Sequence, residues 1–305
     1  MAGKGGVGKT TVGATIGLAA AQLGLSTLLV ELEGRSSLAA PFGISDPGYE
    51  TTAIATGIEG AGDLSIRRLT PDEALTDYLV DHGLQLISGR LARSNVIELI
   101  ATTAPGIRDL VALGKIRALE EANAADLIVV DAPAAGHAIT FLRSAAGLAA
   151  SAPSGPVREQ ADKVQAMLTD PSRCQVILVT IPEETPVTEL IETSYALEDE
   201  VGIQLGPVVV NGLWPVIPGL ESEAEGDATQ RADNESARIR RDATAYRLSR
   251  HRSQSLELKR LSDELPLPQI RLPFLFVTEI DRGAIAELAD SFIQSIANSD
   301  KAGKP

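Results

Sequence analysis

Apolar residues along this chain follow two alternating patterns: short unbroken runs of β-formers, and longer stretches with apolar positions on one helical face. Residues 26–32 (STLLVEL), 126–131 (DLIVVD), 175–181 (QVILVTI) and 206–210 (GPVVV) are of the first kind. Unbroken rather than alternating hydrophobicity marks a strand covered on both faces. Residues 63–69 and 266–276 predict two further strand segments. Between them the spacing predicts helices over 11–23, closed by Gly24 as a left-handed cap, and over 71–81. Others are predicted over 107–123 behind the Pro105-Gly106 turn, near 186–201, over 238–260 and over 282–297. There is no internal repeat. Strands alternating with helices predict one domain over residues 1–305 of α/β class: a doubly wound, mostly parallel sheet with helices on both faces. Helical insertions are expected at about 70–123 and 218–264, the acidic residues 218–236 forming a solvated excursion.

The strongest chemical signal lies in the first ten residues. Gly3 to Thr10 reads G-x-x-x-x-G-K-T. Glycines at 3, 5, 6 and 8 let main-chain N–H groups close on phosphate oxygens without Cβ interference, and the helix that follows adds a positive dipole end. In this motif Lys9 reaches the β- and γ-phosphates and the Thr10 hydroxyl sits on Mg²⁺. Asp131, ending a buried run of β-formers, is placed as the acid that holds the water shell of that Mg²⁺. Residues 132–137 (APAAGH) are expected to form a loop that responds to a γ-phosphate, with no catalytic role for His137. A phosphate-binding loop normally leaves a buried strand, yet only Met1 and Ala2 precede Gly3. A central strand of roughly five residues is missing: either the start is assigned too late, which is the favoured reading, or the centre of the sheet is left unfilled.

Composition narrows the chemistry. With 27 Lys+Arg against 41 Asp+Glu the formal net charge is −14, which argues against nucleic acid as a partner. One cysteine, Cys174, excludes an internal disulfide framework, a cysteine-rich zinc site within one chain and a thiolate cage for arsenite. The histidines His82, His137 and His251 lack metal-ligand spacing, and aromatics make up only 3%. Apolar runs are too short to span a bilayer and no signal peptide is visible, so a soluble, cytoplasmic protein is expected. The basic stretch 238–260 reads as a solvated helix face paired with the acidic segment before it.

Lys4, directly after the first glycine, makes the motif G-K-G-G-V-G-K-T-T over Gly3 to Thr11. This resembles the deviant Walker A of the MinD/ParA/ArsA ATPases. Pro105-Gly106-Ile107-Arg108-Asp109, the 131–137 stretch ending in Gly-His, Ile181-Pro182-Glu183, Glu192-Thr193 and Val209-Val210-Asn211 follow in order. Together they are similar to the ArsA-type ATPases, most of all the shorter actinobacterial anion-transporting ATPases. The resemblance implies ATP and Mg²⁺ as ligands, with Gly3, Lys4, Gly5, Gly6, Val7, Gly8, Lys9, Thr10, Thr11 and Asn211 at the nucleotide, and Asn211 reading the adenine. It implies a dimer, homomeric or with a paralogous ATPase, in which Lys4 reaches the partner subunit's nucleotide. A membrane-associated client, with peripheral attachment through a partner, follows from the same resemblance. Catalytic roles fall on Lys4, Lys9, Asp131 and Glu33. Glu33 stands where the family has the Asp that orients the attacking water, one methylene longer. A regulatory subunit hydrolysing only beside a paralogue, and a ParA/MinD-like positioning ATPase, are the alternatives. A GTPase is disfavoured by Asn211-Gly212-Leu213, and an iron–sulfur reductase by the missing cysteines.

Overall fold

Two parallel ladders meet at the first residues of the chain, and the glycine-rich loop rises from their junction. The computed structural model describes residues 1–32, 38–57, 60–81, 106–220 and 235–302. In chain order the elements are α1 (Lys9–Gln22), β1 (Thr27–Leu32), β2 (Thr52–Ala55), β3 (Leu64–Leu69), α2 (Pro71–Asp81), α3 (Ile107–Glu121) and β4 (Leu127–Asp131). Then follow α4 (Ala135–Ser151), α5 (Pro156–Thr169), β5 (Val179–Thr180), α6 (Glu184–Ala196), β6 (Val208–Leu213), α7 (Glu235–Glu264), β7 (Gln269–Pro273) and α8 (Arg282–Ala302).

The first ladder runs β2-β3-β1-β4 and the second β5-β6-β7. All pairings are parallel except the edge pair β2–β3. Between β4 and β5 lie only Met1 and Ala2. The Met1 nitrogen donates to Val130 O at 2.7 Å, the Ala2 N–H donates to Ile177 O at 3.0 Å, and the Val179 N–H donates to Ala2 O at 2.8 Å. These two residues stand where a central strand would join the ladders.

Both faces of the sheet are covered, as the unbroken apolar runs require. β1 sends Leu28 and Val30 to one core and Leu29 to the other; β6 divides Val208 and Val210 from Val209 in the same way. α1 and α8 close one face with Ile16, Ile285 and Leu288, while α3, α4, α5 and α6 close the other with Leu113, Phe141, Leu168 and Leu190. This is the doubly wound α/β arrangement that the alternation of patterns predicts.

Local departures have local causes. The 175–181 run is paired as a ladder only at Val179–Thr180, with single bridges Ala2–Leu178 and Val176–Leu205. The expected loop over 132–137 is shorter: α4 begins at Ala135, so Gly136 and His137 lie in its first turn. β2 (TAIA) and the helices α4 and α5 were not among the predicted elements. Within the expected insertions, α2, α3 and α7 form as helices. Residues 82–105, including Pro105, and 221–234 lie outside the described residues.

Candidate active site

The loop of Gly3 to Gly8 is shaped by what surrounds it. Gly5 and Gly6 stand exposed at its crest, whereas Val7 is buried beneath. Gly8 takes the left-handed conformation (φ 87°, ψ 29°) and forms the N-terminal cap of α1. A side chain here would be strained and would overlap the Asn211 amide nitrogen. Asn211, well inside β6, donates from Nδ2 to Val7 O at 3.0 Å and so pins the loop to the second ladder. The Ala135 N–H donates to Gly3 O at 2.9 Å and ties the start of α4 to the loop. No side chain caps α1, so the first-turn N–H groups, those of Lys9, Thr10 and Thr11 included, remain directed at the loop mouth, an anion-binding arrangement.

Lys9 lies half-buried in the mouth and donates to Lys4 O at 3.3 Å. Burial lowers its ammonium pKa, and the nearby Asp131 carboxylate opposes the shift. A lysine so placed has little water to lose when an anion arrives. Thr10 Oγ1 donates to Asp131 Oδ2 at 2.7 Å. Asp131 is buried, and burial raises its pKa against the opposing effect of the Thr10 hydrogen bond. Its second oxygen, Oδ1, is buried without a hydrogen-bond partner. An adjacent hydroxyl and carboxylate, with one carboxylate oxygen unsatisfied, are the hard oxygen donors that Mg²⁺ takes beside phosphate. The residues present fit that ion.

Sequence reasoning missed Glu31. It pairs in register with Asp131 across β1 and β4 and is 1% exposed. Burial raises its pKa, countered by Arg68 at 3.5 Å and by the Leu38 N–H, which donates to Oε2 at 3.3 Å. The signal was a lone carboxylate inside the apolar LLVEL run, which period reading passes over. Glu33, the expected water-orienting residue two positions on, lies outside the described residues.

Trp214, which follows β6, belongs to an aromatic cluster that was also missed. A chain with only 3% aromatics gathers Trp214, Phe274, Phe276 and Tyr246, with Trp214 5.9 Å, 6.0 Å and 5.5 Å from Tyr246, Phe274 and Phe276 between ring centroids. Arg247 and Arg250 of α7 lie over Trp214. Of the α7 arginines, Arg250 pairs with Glu183 at 2.5 Å and Arg260 with Glu264 at 2.8 Å, while Arg247 donates to Pro215 O at 3.0 Å. Lys4 is the sequence-predicted residue that does not join the converging group. Its ammonium is partly exposed and pairs with Glu189.

Comparison with known proteins agrees with this geometry. The sequence model of the anion-transporting ATPase family, ArsA, matches residues 1–151. The chain is 29% identical over 317 residues to ATPase BagA of Mycobacterium tuberculosis, covering 96% of this chain and 92% of that one. These matches support an ArsA-type ATPase. Other relatives of this ArsA-type protein are ATPase GET3C of Arabidopsis thaliana, 24% identical over 260 residues (70% of this chain, 66% of that one), and ATPase GET3B of the same plant, 25% identical over 262 residues (70% and 64%). At the level of the family, the activity is ATP binding and hydrolysis. Among the described residues no helix is long and apolar enough to cross a membrane.

Proposed function

We propose that this ArsA-type ATPase is a Mg²⁺-dependent dimeric switch that couples its nucleotide state to a partner or client. The observation that carries the proposal is the convergence of Lys9, Thr10 and the half-satisfied Asp131 carboxylate at the uncapped start of α1. In this proposal the main chain of Gly3 to Gly8 and the first-turn N–H groups cradle the phosphates, and Lys9 neutralises their terminal charge. Thr10 and Asp131 hold Mg²⁺, which when bound spreads the negative charge of the phosphate oxygens. The chain's task is then positioning and electrostatic stabilisation, the two contributions that dominate phosphoryl transfer. Asn211 sets the base end, with Trp214 and Phe274 as adjoining aromatic surface. Glu33 orients the attacking water.

Lys4 lies outside the cradle, on the exposed side of the loop, and in this proposal acts across the interface on the partner subunit's nucleotide. The dimer forms from two copies or with a paralogous ATPase, in the cytoplasm, with any membrane contact made through a partner. The formal net charge of −14, with Arg250 and Arg260 of α7 paired to carboxylates, favours this over a DNA- or lipid-positioning ATPase.

Two variants test it together. Lys9→Ala abolishes ATP binding by calorimetry. Lys4→Ala leaves ATP binding within about twofold and removes ATP-driven dimerisation in sedimentation. Dimerisation and turnover intact in Lys4→Ala would overturn the cross-subunit role.

A further inference from the structure

Lys4 is not free. Its Nζ lies 2.5 Å from Oε1 of Glu189, with side chains 34% and 41% exposed. Glu189 is placed by the packing of α6. Val187, Leu190 and Ile191 turn into the core, which leaves Glu189 on the solvent-side flank beside the glycine loop. The helix follows β5 directly, and β5 is held to the loop's own stem through Ala2. Loop and helix therefore share one rigid base, and the pair is set by the fold rather than by a mobile segment. Nothing in the cradle of Lys9, Thr10 and Asp131 requires this carboxylate.

We infer that Glu189 is a positioning residue that holds Lys4 on its own subunit and sets the threshold for nucleotide-driven dimerisation. The inference rests on the cross-subunit role of Lys4 proposed above. One ammonium cannot keep close contact with Glu189 and also enter a partner's nucleotide site, so dimerisation exchanges one counter-ion for another. The exchange runs from a single carboxylate in a wet, screened setting to a polyphosphate in a closing interface, where the same charge is attracted more strongly. A triphosphate carries one more phosphoryl group than a diphosphate, and the competing carboxylate makes that difference count. In a two-fold dimer the exchange happens twice.

The test uses the full chain with Mg²⁺ and a non-hydrolysable ATP analogue or ADP, and reads the dimer dissociation constant by sedimentation. An exposed pair of this kind is worth about two- to fivefold in an equilibrium. Removing both by Glu189→Gln is therefore expected to tighten the ATP-state dimer by about 4- to 25-fold. The same variant raises the dimer fraction with ADP, while monomer affinity for the analogue stays unchanged. Glu189→Asp, which keeps the charge on a shorter arm, falls between wild type and Glu189→Gln. In a Lys4→Ala background Glu189→Gln restores no association; a tighter dimer with unchanged monomer affinity in the single variant is the change that a merely structural role for Glu189 would not produce. Weaker or unchanged dimerisation in Glu189→Gln, where Lys4→Ala does abolish it, overturns this inference and leaves the proposed function standing. Dimerisation that survives Lys4→Ala overturns both.

Discussion

Two lysines five residues apart, one in the glycine loop and one opening α1, meet different surroundings. Lys9 is half-buried, donates to the main chain of Lys4, faces Asp131, and has its ammonium pKa drawn down by burial. Lys4 stands at the surface against the carboxylate of Glu189. A charge already withdrawn from water interacts strongly with whatever anion replaces that water, and its geometry is fixed before the anion arrives. A charge at the surface is screened and can change partners at little cost. The inner lysine suits binding within one chain; the outer one suits an exchange between chains. The residue type is the same, and in the roles proposed above the dielectric around it divides the labour.

Arginine at each position sharpens this contrast, and the effect at the inner site is the largest we expect. A guanidinium is planar and broader than an ammonium and does not act as a compact point charge. Lys9→Arg should lower ATP affinity by roughly a hundredfold or more, the scale of losing a buried charge contact. Lys4→Arg should keep ATP binding and hold ATP-driven dimerisation within about tenfold, since an exposed guanidinium pairs with both carboxylate and phosphate. Titration calorimetry and sedimentation on the two proteins measure both; equal losses would erase the distinction.

The next effect separates the loop's anchored base from its open crest. Gly6 and Gly8 share a left-handed φ of 87°, but a Cβ on Gly6 meets nothing within 4 Å, whereas one on Gly8 overlaps the Asn211 side chain. Left-handed backbone costs an L-residue about 1–2 kcal/mol. Gly8→Ala adds the loss of the Asn211–Val7 hydrogen bond, about 1 kcal/mol more. Denaturant unfolding should therefore find Gly8→Ala less stable than Gly6→Ala by about 1 kcal/mol. A reversed order would mean that Asn211 does not hold the loop.

The same division between local and distant partners explains what could be read from the sequence. Gly3 to Thr10 needs only neighbours in the chain to define its shape, and the apolar runs ending at Leu32 and Asp131 define their strands alone. Thr10 and Asp131, 121 residues apart, were also foreseeable, because adjoining parallel strands bring their C-terminal ends to one edge. Glu189 was not. Its role depends on which flank of α6 faces the loop, and helical spacing gives the buried face but not the neighbour on the other side. The aromatic cluster is hidden for a similar reason: Trp214 follows β6, Phe274 follows β7 and Tyr246 lies in α7. Glu31 was lost inside a run whose hydrophobicity already answered the question asked of it. Residues 175–181 were over-read as a full strand, since a strand needs a partner as well as a pattern.

The smallest effect tests whether Asp131 is kept for the ion or for the fold. Burial raises its pKa, and that contribution outweighs the Thr10 hydrogen bond and the Met1 ammonium and Lys9 charges that oppose it. The native state then holds the proton at a pH where the unfolded chain has released it. Between the ordinary value of 3.8 and the raised native one, the folded form binds more protons, so the contribution of this group to stability falls as pH rises. Asp131→Asn keeps an oxygen to accept from Thr10 and removes the buried charge. Without nucleotide the variant should melt about 2 °C higher than wild type at neutral pH, as expected for about 1 kcal/mol in a chain of this size, and should lack this part of the pH slope. With Mg²⁺ and ATP the order should invert, because only the wild type gains ligand stabilisation in full. A variant that melts lower in both conditions would make the carboxylate a structural group and remove the support that its unsatisfied oxygen gives to an ion site.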